Sequence, residues 1–395
     1  MKIPQRKELA FFAVLMLGLA VFAALLFEAG FRLLERRALA QTFHHGPGRV
    51  HLPDPRWGWK PSTGTFESGS PEFRATGNIN ELIMNGPPYD APADARRTRI
   101  LVLGDSHTFA VGVSLQDTWP QALEGLLGPG FRAYNSAYPG YNLHQYLLRL
   151  KDQGPTVKPH YVVVGLSYAT DLYDLLPADR GGWTYAERME RDYFDFDAAG
   201  KLVPRHWKEE SSAAGRAPLS PAISARRFLE HFASFRYLRR SKLALFLGSK
   251  LKFRGQSLWP NMEVVLEREV SPAHAYQWRL FFALLGELQK ESRRQGAQLV
   301  VVGIPYLPQV YDEVWDTTFG GSEGFSKTAA IERVAAWCRD RSIAYVDTLD
   351  AFRSATKSSG RWLHFRLDAH PNAEGHGVIA RTLLDSGAIQ KRIRP

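Results

Sequence analysis

Two segments that lie far apart in the sequence contain the residue types that nucleophilic catalysis needs. Ser106 follows the apolar run Ile100–Leu103 and a short Gly-Asp turn. Functional groups gather at the carboxyl ends of parallel strands, which is where Ser106 stands. A serine becomes a nucleophile when a histidine takes its proton, and a carboxylate orients that histidine. Asp368 and His370 supply such a pair, since two residues apart on an extended segment their side chains would lean the same way.

Each segment also has a simpler interpretation. Gly-Asp-Ser is a good turn and helix cap. The segment from Asp368 to His370 could be a polar turn with a surface histidine, after which Pro371 opens a helix. We interpret His376 as a packing or capping residue of that last helix. Because the two segments hold complementary parts of one mechanism, catalysis is the working hypothesis.

The elements around these segments alternate along the chain. Apolar runs predict strands at 99–103, 161–165, 299–304 and 344–346, and helical periodicity predicts helices at 119–127, 143–153, 273–295, 327–341 and 372–385. Strands that alternate with helices indicate a parallel sheet covered on both faces.

Four blocks, in order, resemble the SGNH/GDSL hydrolases, a family that includes esterases, lipases and enzymes of carbohydrate O-acetyl transfer or deacetylation. The blocks are Gly104-Asp105-Ser106 with its sequel to Val113, Asn135 to Gly140, Val163 to Asp171, and Asp368 to His370 with its Pro-Asn and Gly-His sequel. They span about 100–386 and are closest in pattern to membrane-anchored members acting on cell-envelope polysaccharides. The resemblance implies a three-layer, flavodoxin-like α/β fold with a parallel sheet and serine-dependent acyl-ester chemistry.

The resemblance also implies an oxyanion hole, formed by the backbone amides of Ser106 and Gly140 with help from Thr170. The chain departs from the family pattern at two points. Thr170 stands where the family has an asparagine, and loss of one such donor can cost about 2.7 to 4 kcal/mol of transition-state stabilisation. The family more often has two residues between the acid and the histidine, whereas only one separates Asp368 from His370.

The N-terminal region predicts membrane attachment. Residues 9–27 are an uninterrupted run of 19 apolar or small residues, about 28 Å as a helix against about 30 Å of bilayer hydrocarbon. We expect an uncleaved single-pass anchor within 1–40 and an extracytoplasmic catalytic domain. A signal peptide that ends near Ala38-Leu39-Ala40 is the alternative, but the charged residues Arg32, Glu35, Arg36 and Arg37 stand between that tripeptide and the run. Three positive charges on each side leave the orientation undecided.

Composition and spacing divide the rest of the chain into segments. We predict an irregular connector at 41–97 that packs on the main domain, a first SGNH part at 98–177, a basic helical insertion or cap at 178–262 and a second SGNH part at 263–395. The net charge is +10, and 226–254 holds nine basic residues against one acid. That segment could contact anionic lipid or an acidic glycan, or could be an amphipathic helix with solvated arginines.

We expect no cofactor, no metal and no nucleic-acid partner. The single cysteine, Cys338, excludes disulfide scaffolds and cysteine-based zinc clusters. No phosphate-binding glycine motif is present, and the histidines at 44, 45 and 51 lack metal-ligand spacing.

The sequence thus predicts a serine-dependent acyl-ester hydrolase or O-acyl(acetyl)transferase that acts on a cell-envelope carbohydrate through an acyl-Ser106 intermediate. One alternative is a general esterase or lipase. The other is a catalytically weak carbohydrate-binding or assembly protein on the SGNH scaffold.

Overall fold

A computed structural model describes residues 6–40, 42–49, 51–173, 175–176, 190–207 and 262–390, together with 232 and 234. The chain separates into two units, Met1–Phe43 with Ser212–Arg254, and His44–Ser211 with Gly255–Pro395. All the predicted site residues belong to the second unit. The nine basic residues of 226–254 lie outside the described residues, so the predicted basic insertion keeps the status of a prediction.

The described part of the first unit includes the long helix α1 (Arg6–Ala40). Its stretch Val14–Leu34 is long and apolar enough to cross a membrane, and none of that stretch is buried. A signal sequence near the N-terminus would have the same length and composition. The charged Glu28 inside this stretch accepts a hydrogen bond from Arg32 Nε at 2.8 Å, one helical turn further on.

The second unit is built around a five-stranded parallel sheet. The strands are β6 (Thr98–Gly104), β7 (Phe131–Asn135), β8 (Tyr161–Ser167), β11 (Gln298–Ile304) and β12 (Ala344–Asp347). Their order in the sheet is β12-β11-β8-β6-β7, and every neighbouring pair is parallel. Successive residues of the central strands are buried, so both faces of the sheet are covered. The predicted three-layer α/β fold is confirmed.

Helices form the two outer layers. The longer ones are α4 (Trp119–Leu127), α5 (Leu143–Val157), α8 (Ala275–Arg294), α11 (Ala329–Arg339), α12 (Leu349–Ser359) and α13 (Ala373–Asp385). Helix α4 packs on α13, and α5 packs on α8. The shorter ones are α2 (Ala91–Asp94), α3 (Ser106–Phe109), α6 (Tyr168–Tyr173), α7 (Glu263–Leu266), α9 (Leu307–Val310) and α10 (Asp312–Thr318).

The segment before the main sheet contains short strands of its own. They are β1 (Phe43–His45), β2 (His51–Asp54), β3 (Gly58–Pro61), β4 (Gly64–Gly69) and β5 (Arg74–Ile79). Strands β2 and β3 pair antiparallel, as do β4 and β5. The Asn85 N–H donates to the Asn135 carbonyl at 2.9 Å, which joins this segment to the edge strand β7. Trp59 and Phe66 are buried in the same core as the sheet.

Residues 190–207 form a hairpin of β9 (Arg191–Phe196) and β10 (Leu202–Trp207). It belongs to the second unit and comes from 178–262, the range predicted as a basic helical insertion or cap. The helical prediction is wrong for this part of the range, because the backbone groups of the two strands pair with each other. The buried Phe194 N–H donates to His144 Nδ1 at 3.2 Å, which attaches the hairpin to α5.

Candidate active site

Ser106 lies at a sharp turn between strand β6 and helix α3. The strand ends at Gly104, Asp105 caps the helix by accepting from the His107 N–H, and Ser106 is the first helical residue. A Cβ added at Gly104 would lie 2.3 Å from Thr108 Oγ1. Only glycine therefore allows the turn to close this tightly. The turn leaves Ser106 half-buried at the carboxyl end of the sheet.

Asp368 and His370 lie on the loop between α12 and α13, and this loop is a closed turn rather than the extended segment predicted from the sequence. The Phe365 N–H donates to the His370 carbonyl at 2.9 Å, and the Ala369 N–H donates to the Phe365 carbonyl at 3.1 Å. Ala369 has a φ of +71°, in the left-handed region. The turn brings Asp368 Oδ1 into hydrogen-bond contact with His370 Nδ1.

The loop and the turn meet at the carboxyl end of the sheet. His370 Nε2 lies 2.7 Å from Ser106 Oγ, across 264 residues of sequence. The carboxylate of Asp368 accepts the Nδ1 proton, which leaves Nε2 free to accept the serine proton. The three residues predicted as a triad are thus hydrogen-bonded in series.

The electrostatics of the pair suit this arrangement. Burial raises the pKa of Asp368, but the hydrogen bond and the charge of His370 outweigh it, so the net pKa of Asp368 is lowered. The Asp368 side chain is 34% exposed. An ionised carboxylate in this position orients the imidazole and stabilises the imidazolium that forms during reaction.

Gly140 lies on the loop that follows β7, beside the serine turn. The Tyr138 N–H donates to the Gly104 carbonyl at 3.1 Å, and Trp59 Nε1 donates to the Pro139 carbonyl at 3.1 Å. Gly140 has a φ of +80°. Among the described residues, the N–H groups of Ser106 and Gly140 donate to no acceptor. Both amides are available to bind an oxyanion.

Thr170 stands in α6, after strand β8, and contacts Asp105 of the serine turn. Its Oγ1 donates to Asp105 Oδ2 at 2.5 Å and lies 3.2 Å from the Ser167 carbonyl. The single hydroxyl proton therefore already has an acceptor. The place of Thr170 in the oxyanion hole stays a prediction from the sequence.

A second acid–histidine pair, which the sequence reasoning does not predict, lies next to Ser106 and His370. The buried Asp105 accepts from the His107 N–H at 2.9 Å and lies 3.3 Å from His107 Nδ1. Burial raises the pKa of Asp105, but the charge of His107 and the hydrogen bonds from His107 and Thr170 outweigh burial, so the net pKa of Asp105 is lowered. The His107 and His370 ring centroids are 4.7 Å apart. The adjacency of His107 to the serine is the only local signal of this pair.

A further histidine, His376, has a structural role. His376 is fully buried in α13, as interpreted from the sequence, and its Nδ1 accepts from the Trp119 N–H at 3.1 Å. Burial lowers the pKa of His376 to about 3. Within the described ranges, no group of three histidine, cysteine or acidic side chains has an arrangement that could hold a metal ion.

Several solved structures are similar to this chain. A catalytic mutant of Axe2, an acetylxylan esterase from Geobacillus stearothermophilus, is 14% identical, with 75% of this chain and 97% of that chain covered and a TM-score of 0.38. TesA is 15% identical, with 73% and 97% covered and a TM-score of 0.36. A member of the lipolytic G-D-S-L family from Veillonella parvula is 9% identical, with 74% and 99% covered and a TM-score of 0.37.

At these identities and TM-scores, the likeness carries no argument about the activity of this chain. The sequence matches no protein-family model, and no curated protein matches it. The activity has to be inferred from the chain's own residues.

Proposed function

We propose that the chain is a serine-dependent acyl-ester hydrolase or O-acyltransferase. The observation that carries this proposal is the series Ser106 Oγ, His370 and Asp368, with His370 Nε2 at 2.7 Å from the hydroxyl. A capped turn and a surface histidine, the simpler interpretation, would not require this contact between residues 264 positions apart. The capping interpretation applies to Asp105, and the catalytic one applies to the serine beside it.

The reaction follows from the hydrogen bonds. Ser106 Oγ attacks the acyl carbonyl carbon while its proton moves to His370 Nε2. The backbone amides of Ser106 and Gly140 donate to the oxyanion of the tetrahedral intermediate. Collapse breaks the ester C–O bond, and the leaving oxygen takes the proton from His370. Asp368 holds the imidazole throughout and stays ionised.

The acyl-serine intermediate then allows two outcomes. His370 removes a proton either from water, which gives hydrolysis, or from a sugar hydroxyl, which gives acyl transfer. The acceptor attacks the acyl carbon, and Ser106 Oγ leaves with the proton from His370. An acylated cell-envelope carbohydrate is the substrate class we propose, because the motifs resemble anchored members of the family and a candidate membrane span precedes the domain.

One observation favours a second candidate function, a catalytically weak carbohydrate-binding or assembly protein. Thr170 replaces an amide donor, and its hydroxyl proton is directed to Asp105. If two backbone amides alone bind the oxyanion, the rate could be low. A general esterase or lipase is the remaining alternative and differs only in substrate.

A serine-directed fluorophosphonate probe separates these functions. We expect the parent to be labelled and to hydrolyse p-nitrophenyl acetate, and Ser106→Ala to lose labelling and at least about a thousandfold of turnover. The matched control is Ser358→Ala, because Ser358 is an exposed serine on α12. A parent that is not labelled would support the binding protein. Turnover in Ser106→Ala equal to that of the parent would overturn the triad.

We further propose that α1 is an uncleaved anchor and that residues from about 41 onward are extracytoplasmic. An enzyme for envelope glycans must face that side, and the equal number of positive charges on the two sides of the span allows this orientation. Protease added to intact spheroplasts should digest the catalytic domain. A domain protected until lysis would reverse the topology, and a mature N-terminus at Gln41 would indicate a cleaved signal.

A further inference from the structure

A carboxylate from the segment before the main sheet is bound to the backbone of the loop 360–372, which carries Asp368 and His370 and is called the catalytic loop below. Glu72 Oε1 accepts from the Arg366 N–H at 2.6 Å. Its other oxygen, Oε2, accepts from the N–H groups of Leu367 at 2.8 Å and Asp368 at 3.1 Å. Three consecutive amides thus converge on one side chain that is 294 to 296 residues away in sequence.

The turn that carries Glu72 is built to present it. Glu72 lies between β4 and β5, where the Ser70 N–H donates to the Phe73 carbonyl at 2.9 Å and the Glu72 N–H donates to Ser70 Oγ at 3.1 Å. The next residue extends the contact, because the Phe73 and Phe365 ring centroids are 5.0 Å apart. The β4–β5 turn therefore holds the catalytic loop by a polar and an aromatic contact.

The loop needs an external restraint because of its exposure and its backbone. Leu367 is 77% exposed, and Asp368 is exposed as a residue. Ala369, an alanine, adopts a left-handed backbone at φ +71°. Such conformations persist where the surrounding structure determines them. Without Glu72, the three amides of 366–368 would lose the acceptor that fixes the position of the Asp368 backbone.

We propose that Glu72 is a positioning residue, which sets the Asp368 carboxylate against His370 by clamping the amides of residues 366–368. The proposal rests on the proposed function, since Asp368 must act in catalysis for its position to matter. Glu72 acts through Asp368 and does not touch the ester. Its removal should therefore lower kcat and leave KM nearly unchanged.

A double-mutant cycle on p-nitrophenyl acetate hydrolysis tests this route. We expect Glu72→Ala to lower kcat up to about a hundredfold, the scale of a misplacement near 1 Å. In the Asp368→Ala background, the same substitution should cost less than about twofold, because the group it positions is gone. If the losses of kcat in Glu72→Ala and Asp368→Ala multiplied in the double variant, Glu72 would not act through Asp368. An unchanged kcat per folded molecule in Glu72→Ala would likewise show that Glu72 has only a structural role.

A conservative variant separates acceptor chemistry from packing. Glu72→Gln keeps the size of the side chain but replaces one acceptor oxygen by an NH₂ group, which faces a backbone N–H. We expect it to stay impaired, and full activity in this variant would overturn the clamp. The matched control is Glu67→Ala, an exposed carboxylate on β4 of the same hairpin. It should behave as the parent.

Hydrogen exchange gives a readout that does not depend on activity. In the full-length protein, the amides of residues 366–368 should exchange faster in Glu72→Ala than in the parent, and at the parent rate in Glu67→Ala. Unchanged exchange in Glu72→Ala would overturn the clamp while leaving the triad intact. A parent with no ester turnover would overturn the proposed function, and with it the positioning role, whatever the exchange shows.

Discussion

Replacement of Gly140 by alanine tests the oxyanion hole, and the structure sets the size of the expected effect. Gly140 has a φ of +80°, a conformation that costs an alanine about 1 to 2 kcal/mol. An added Cβ would also lie 2.9 Å from Trp59 Cζ2. Trp59 is only 4% exposed and bonds to the Pro139 carbonyl. Because the ring cannot yield freely, we expect the Gly140 loop to move.

Movement of the loop would displace the proposed Gly140 donor from the oxyanion. Loss of one donor corresponds to about 2.7 to 4 kcal/mol, which is a hundredfold to a thousandfold in kcat. We therefore expect Gly140→Ala to lower kcat by that factor, and to lower the free energy of unfolding by at least about 1 kcal/mol. The first is measured with p-nitrophenyl acetate, the second by urea denaturation.

Gly321 supplies a control for the backbone cost alone. Its φ is +78°, and no atom lies within 4 Å of an added Cβ. Gly321→Ala should lose about 1 to 2 kcal/mol of stability and keep the parent kcat. If Gly140→Ala kept kcat within about twofold of the Gly321 variant, the amide of Gly140 would not be an oxyanion donor, and the assignment of the hole would be wrong.

Two further predictions concern the buried polar groups. Thr170→Val removes a hydrogen bond to the buried Asp105 and should lower the free energy of unfolding by about 1.5 to 3 kcal/mol, with kcat changed less than tenfold; a hundredfold fall in kcat would instead support the predicted place of Thr170 in the oxyanion hole. Burial lowers the pKa of His144 to about 4 and of His364 and His376 to about 3. The unfolded chain, with ordinary values near 6.5, binds more protons below that pH. Stability should hold above about pH 6.5 and fall below it by up to about 1.4 kcal/mol per pH unit for each histidine, until the pH reaches the folded values. Urea midpoints that agree at pH 7.5 and 5.0 would contradict this.

The fold is predictable from sequence where burial is continuous. Strand β6 and helix α4 agree closely with the prediction, because an apolar run and an amphipathic period each specify one conformation. The edge strand β7 is not predicted, since Arg132 and Asn135 interrupt its apolar residues although both are buried. Arg132 is compensated by Glu124, with Nη1 at 3.3 Å from the carboxylate. This contact is tertiary and leaves no periodic signal.

The proposed triad is predictable because its chemistry requires three residue types, of which Ser106 follows a strand and Asp368 and His370 share one short segment. Its support is not. His107 and Glu72 have no motif, and each is recognised only by what it contacts: His107 by the ring of His370, and Glu72 by the loop amides. Helix α12 is also missed, although its position before the catalytic loop decides where that loop starts.

Asp368 and His370 are in contact, but the contact arises from a closed turn and not from the extended segment that the spacing predicts. On an extended segment, side chains two residues apart point the same way but stay separated along the strand. Here the left-handed backbone of Ala369 folds the segment back, and the bonds between Phe365 and His370 close it. An alanine pays about 1 to 2 kcal/mol for that conformation. The turn persists because its own backbone bonds and the carboxylate of the distant Glu72 hold it. The short acid–histidine spacing therefore depends on a residue about 300 positions earlier in the sequence.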